Sequence, residues 1–159
     1  MIRLATYEDA ATIGQLWLQM IQYHRLLDTA MPEASVDGAL QYQRRIESRL
    51  TDSSTRILVA EIDGEVIGYV LGMVVDLVPE MFTAMYGGFI ADIYVSTDYR
   101  RRGIARALVE RMALWFLSKG ITYFEWHVAY TNKDAVAFWE AIGGRTVMLR
   151  MRTDIGDES

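Results

Sequence analysis

Apolar positions along this chain repeat with two periods, and the switches between them mark the elements. Ile2-Arg3-Leu4 is a short alternating run and predicts a first strand. Thr6-x-x-Asp9 then has the form of a capping box, with Asp in place of the usual Glu. Ile13, Leu16, Trp17, Met20, Ile21 and His24 follow at helical spacing and predict a first helix. Ala30-Met31-Pro32-Glu33 breaks that pattern. A second helix is expected over 36–50, with Leu40, Ile46 and Leu50 facing inward. Residues 56–62 and 65–75 read as two strands joined by an Asp63-Gly64 hairpin turn. Gly68 and Gly72 interrupt the second of these, which points to a bulge or a close backbone approach.

The stretch from Gly87 to Trp115 uses both periods. Phe89, Ala91, Ile93 and Val95 alternate with Ile90, Asp92 and Tyr94, predicting a strand with one apolar and one mixed face. Arg100-Arg101-Arg102-Gly103 comes next. Ile104, Leu108, Met112 and Trp115 then repeat at helical spacing, and the helix should stop near Lys119-Gly120. A helix start presents unpaired N–H groups and the positive end of the macrodipole. Arginines and a glycine there let an anion approach the backbone, so this stretch predicts a phosphate or pyrophosphate site. Beyond it, 121–130 reads as a fifth strand. Asn132 caps a helix with Ala135, Phe138, Trp139 and Ile142 on its apolar face, ending at Gly143-Gly144. Residues 146–153 read as a last strand and 155–159 as a frayed acidic tail. The expected organisation is one domain over 1–154.

Composition narrows the picture. With 159 residues and 52% hydrophobic content, the chain suits one compact globular domain. A net charge of −5 argues against a nucleic-acid partner. Of 16 basic residues, only Lys119 and Lys133 are lysine; the other 14 are arginine, the better bidentate partner for phosphate. The chain has no cysteine, which removes thiolate chemistry, and two histidines give no metal-ligand spacing. The start lacks the pattern of a secretory signal, and the apolar run from Val66 to Val75 is too short to span a bilayer. No membrane partner and a cytoplasmic location are the expectation. No P-loop, dinucleotide-binding or Gly-x-Ser-x-Gly pattern occurs.

Arg100-x-x-Gly103-x-Ala105, placed after a strand ending Ile93-Tyr94-Val95, resembles motif A of the GNAT N-acetyltransferase superfamily. Asn132-x-x-Ala135-x-x-Phe138-Trp139-Glu140-x-x-Gly143 resembles its motif B more loosely, with Trp139 at the usual Tyr and Gly144 at the usual Phe. The resemblance covers essentially the whole chain. It implies an α/β (α+β) GNAT fold: a central mixed, mostly antiparallel sheet of six to seven strands flanked by four helices. It also implies acetyl-CoA as cofactor and acyl donor. Ile93, Tyr94 and Val95 would run beside the pantetheine arm, and Arg100, Arg101, Arg102, Gly103, Ile104, Ala105 and Arg106 would hold the phosphates. Asn132, Ala135, Phe138 and Trp139 would flank the pantetheine and thiol.

The implied reaction is direct transfer of an acetyl group to a primary amine of a small molecule or peptide. The amine must lose a proton, and Asp92, just ahead of the cofactor segment, is the first candidate base. Glu125 and His127 are second candidates. In the family the replaced Tyr commonly serves as the acid, and indole N–H does not give up its proton near neutral pH. Tyr94 or Tyr130 would substitute, or the thiolate would leave unaided. Tyr23, His24, Leu27, Met81, Phe82, Tyr86 and His127 are candidates for the acceptor pocket. The different-class alternative is a non-catalytic acyl-CoA-binding or partner-binding module. A homodimer is expected from the curtailed C-terminus and the apolar Val147, Leu149 and Met151.

Overall fold

The computed structural model describes residues 1–156, and the chain divides into two compact units, Met1–His127 and the residues from Val128 onward. In the first unit, β1 (Ile2–Leu4) leads through a 3-10 turn into α1 (Ala10–Leu27) and α2 (Gly38–Arg49). Three strands follow, β2 (Thr55–Ile62), β3 (Glu65–Asp76) and β4 (Tyr86–Val95). α3 (Ile104–Ser118) and β5 (Phe124–Trp126) complete it. The strands form one mixed sheet in the order β1-β2-β3-β4-β5, antiparallel except for the parallel β4–β5 pair. In the second unit α4 (Lys133–Ala141) starts at Asn132, whose side chain accepts from the Ala135 N–H at 3.2 Å.

Local chemistry sets these boundaries. The Asp9 carboxylate accepts from the Thr6 backbone N–H at 2.7 Å, and the Arg3 guanidinium grips both its oxygens at 2.7 and 3.0 Å. This ties β1 to the start of α1. Asp63 and Gly64 take left-handed conformations, with φ of 51° and 80°, as a two-residue hairpin requires.

One sheet face packs under α1 and α2. Ile57, Val59, Tyr69, Leu71 and Tyr94 join Ile13, Leu16, Met20, Tyr42 and Ile46 there. The other face meets α3, and a Cβ at Gly72 would stand 2.4 Å from the Met112 sulfur. Gly72 lies at a bulge. Leu71 pairs with Asp92 and Gly72 with Ile90, leaving Ala91 as the extra residue on β4. The bulge resets the alternation expected for this strand. Ile90 faces α3, and Asp92 and Tyr94 face α1 and α2.

Several expectations are corrected. The sheet has five strands among the described residues, not six or seven. No strand is formed over 146–153, because alternation alone makes no strand without a ladder partner. The strand expected over 121–130 is confined to Phe124–Trp126. In the second helix, Leu40 is exposed and the buried stripe runs through Gly38, Tyr42 and Ile46. The tail expected over 155–159 falls largely on residues 157–159, which lie outside the described residues.

Candidate active site

The site begins where the sheet opens. β4 pairs with β3 as far as Val95, but with β5 only at Gly88, Phe89 and Ile90. From Ala91 to Val95 the β5 side of β4 has no strand partner among the described residues. A segment with one hydrogen-bonding edge free can accept an extended ligand as an added strand. Ile93, Tyr94 and Val95 lie on it.

The free edge runs into the arginine loop. After a 3-10 turn at Thr97–Tyr99, Arg101 and Gly103 adopt left-handed conformations with φ of 62° and 76°. Gly103 is the N-cap of α3, and its carbonyl accepts the first helical bond, from the Ala107 N–H at 3.0 Å. Nothing lies within 4 Å of where its Cβ would be. The N–H groups of Ile104, Ala105 and Arg106 belong to the first turn, where the helix offers no carbonyl to receive them. The loop therefore presents backbone donors and a positive dipole end to open space.

The arginine side chains are used differently from one another. Arg100 folds back over the rings of Tyr23 and Tyr94, at 4.5 and 5.3 Å from their centroids, and its Nε donates to the Val95 carbonyl at 3.2 Å. It clips α1 to the end of β4. Arg102 lies over Tyr99 at 5.2 Å and is exposed, as is Arg101. Arg106 pairs with Glu110 at 3.0 Å along the exposed side of α3.

A polar cluster sits on the α1–α2 side of β4. The Tyr42 hydroxyl donates to Asp92 Oδ2 at 2.6 Å, and the Tyr69 hydroxyl donates to Tyr42 Oη at 3.3 Å. Trp17 stacks on Tyr42 with ring centroids 5.1 Å apart. Burial pushes the Asp92 carboxyl above the usual range; the Tyr42 bond and the charge of Arg45 oppose that rise. Burial also raises Tyr94, against the pull of Arg100. His24 is lowered by burial first and by Arg100 second, so it favours the neutral form. The fold thus gathers Tyr94, Tyr23 and His24 around Arg100, with Asp92 two residues before Tyr94 on β4 and bonded to Tyr42.

Other candidates fall elsewhere. Tyr86 opens β4 at the end away from Asp92 and is exposed, as are Met81 and Phe82 in the preceding connection. Leu27 is the last residue of α1 and is partly exposed. His127 follows β5 and meets Phe89 edge to face at 5.4 Å, while Glu125 pairs with Phe89 in the ladder. In the second unit, Asn132 and Trp139 are buried, and Phe138 packs edge to face on Trp139 at 5.1 Å. Tyr130 is exposed.

Sequence reasoning missed Tyr42 and Tyr69. Gly38, Tyr42 and Ile46 at four-residue spacing are the signal that could have found the first. Tyr69 alternates with the apolar residues of β3 and reads as core.

The acetyltransferase (GNAT) family model matches residues 20–143. The chain is 37% identical over 51 residues to a thialysine N-epsilon-acetyltransferase of Caenorhabditis elegans, a match covering 32% of each. It is 33% identical over 64 residues to an L-ornithine N5-acetyltransferase of Arabidopsis thaliana, covering 40% of this chain and 28% of that protein. The chain thus spans about a third of the length of the curated relatives it matches. A point mutant of the BH1408 protein of Bacillus halodurans shares the fold, with a TM-score of 0.87, 20% identity and coverage of 98% of this chain and 99% of that one. A match over most of its length, on a sheet that opens beside an Arg/Gly loop, places this chain in the GNAT acetyltransferase family, whose acyl donor is acetyl-CoA.

Proposed function

We propose that this chain transfers the acetyl group of acetyl-CoA to a primary amine of a small molecule or peptide, directly, within a ternary complex. The observation that carries the reading is the free edge of β4 from Ala91 to Val95, running into the first turn of α3 with a half-buried carboxylate, Asp92, on the same segment. The pantetheine arm would lie along Ile93, Tyr94 and Val95. The pyrophosphate would take the N–H groups of Gly103, Ile104 and Ala105, with Arg101, Arg102 and Arg106 around it. Arg100 supports this cradle from behind rather than reaching outward. The roles of Asn132, Ala135, Phe138 and Trp139 rest on the second motif.

In the proposed reaction Asp92 takes one proton from the substrate ammonium. The freed amine attacks the thioester carbonyl. The C–N bond forms, the C–S bond breaks and the electron pair leaves on sulfur. Tyr94 donates a hydrogen bond to that sulfur, and the proton left on nitrogen ends there. A thiol with a pKa near ~8.5 leaves readily under such assistance. Tyr23, His24 and Leu27 are the proposed acceptor-side wall. His127 and Tyr86 are weaker members, by their distance along the strands. The relatives are named for acetylating the side-chain amine of an amino acid, so diamino acids are the first acceptors to test.

We also read residues 1–154 as one GNAT domain, since the family match runs continuously across 20–143. No described helix is long and apolar enough to cross a membrane; a cytoplasmic location is part of the proposal. A homodimer is proposed from the exposed, strand-free Val147, Leu149 and Met151. Sedimentation should show a dimer at micromolar concentration; a monomer at high concentration refutes it. The second reading, a non-catalytic acyl-CoA-binding module, is favoured by Trp139 at the usual Tyr position. Both readings expect acetyl-CoA at 100 times its Kd to stabilise the fold by about 2.7 kcal/mol, seen as a higher Tm. No shift at millimolar acetyl-CoA would overturn both.

A further inference from the structure

The two phenols behind Asp92 have no part in the bond changes described above, yet three elements converge to place them. Tyr42 comes from α2, Tyr69 from β3 and Asp92 from β4. Tyr42 is 5% exposed and Tyr69 is fully buried. A phenol has one proton to give. That of Tyr42 is committed to Asp92 Oδ2, and the oxygen it leaves is covered by the Tyr69 hydroxyl. The donors therefore run in one direction, Tyr69 to Tyr42 to Asp92. The Tyr42 ring cannot swing away, because Trp17 stacks on one side at 12° and Tyr69 abuts it edge-on at 6.1 Å. Among the described residues Oδ1 of Asp92 accepts no hydrogen bond.

Resting on the reading of Asp92 as the base, we propose that Tyr42 is a positioning residue of the acetyl transfer. Backed by Tyr69, it holds Asp92 Oδ2 as the oxygen of an anion and leaves Oδ1 for the proton of the incoming amine. The chain is the counterweight to burial. A half-buried carboxylate would otherwise stay protonated to higher pH and be a poorer acceptor. The ionisable groups coupled to Asp92 are Tyr42 and Arg45 from α2 and Tyr69 from β3; Trp17 of α1 bears on it through the Tyr42 ring on which it stacks. Arg45 is the one cation among them, so the hydroxyl chain is the remaining device that favours the anion.

The test is the pH dependence of kcat/KM for an accepted amine in wild type, Tyr42→Phe, Tyr69→Phe and Asp92→Asn. Tyr42→Phe keeps the ring and its stack and removes only the donor. Loss of a donor to a carboxylate disfavours the charged form, so the acid limb should move to higher pH, by roughly one pH unit. Tyr69→Phe should move it in the same direction by less. An unmoved limb in Tyr42→Phe overturns the proposal while leaving Asp92 as base. Undiminished turnover in Asp92→Asn overturns the base reading itself. A readout that needs no turnover is the NMR titration of the Asp92 side-chain carboxyl. Its midpoint should rise in Tyr42→Phe, and an unchanged midpoint counts against the proposal. Should Tyr42→Phe fail to fold, Tyr69→Phe carries the same titration, with the same sign expected and an unmoved midpoint overturning it.

Discussion

At the scale of single residues, Asp92 combines a cost with a use. Burial raises its pKa, so the charged form is disfavoured in the folded chain relative to the unfolded one. Its contribution to stability is thus complete below the ordinary carboxylate range, near pH ~4, and is lost as pH rises through the raised value. At neutral pH, Asp92→Asn should melt no lower than wild type while turnover falls by about 10²- to 10⁴-fold. Calorimetry beside a rate assay checks this, and a joint fall of Tm and rate would mark Asp92 as merely structural. That Asp92 was a candidate could be read from its place on the strand. Tyr42 has a weaker signal, the four-residue spacing of Gly38, Tyr42 and Ile46, and Leu40 and Leu50 offer a more apolar stripe that hides it on the same helix. The sequence reads Arg100 as a phosphate partner, whereas in the fold it clips over Tyr23 and Tyr94, rings 77 and 6 positions away, which no local pattern reports.

At the scale of elements, the strand–loop–helix at the site was legible because each part carries its own signal. The bulge at Ala91 was only half legible: Gly72 announced an irregularity, but which strand gained the residue was decided by the partner ladder. Residues 146–153 show the opposite failure, a strand-like alternation with no ladder. Gly103 is the hinge of the proposed phosphate cradle. In Gly103→Ala the left-handed φ costs about 1–2 kcal/mol, and the new methyl stands in open space at the start of the proposed cradle. Acetyl-CoA should bind roughly tenfold more weakly, with calorimetric titration as the measurement and unchanged affinity as the contrary result. At the other end of the sheet, the Arg3 guanidinium holds the Asp9 carboxyl below the usual range. That pair stabilises the fold above the ordinary carboxylate pKa, and the contribution is lost as pH falls through the lowered value. Asp9→Ala should cost about 2 kcal/mol at pH 7 in urea unfolding. The difference from wild type should shrink in acid.

At the scale of the whole molecule, the family was legible from two short motifs because the proposed cofactor contacts are with backbone and with a helix start, positions the sequence punctuates with Gly and Arg. The acceptor was not. Its candidate residues come from α1, from the start of β4 and from beyond β5, and the fold gathers only Tyr23 and His24 around Arg100 at the end of β4. Catalytic transfer is most directly measured as release of free CoA thiol from acetyl-CoA in the presence of diamino acids, polyamines and peptides. Thiol release that depends on the amine, matched one for one by acetylated amine and largely lost in Asp92→Asn, is the predicted result. Acetyl-CoA binding with no amine-dependent thiol release across that panel would contradict the claim and leave a binding module in its place.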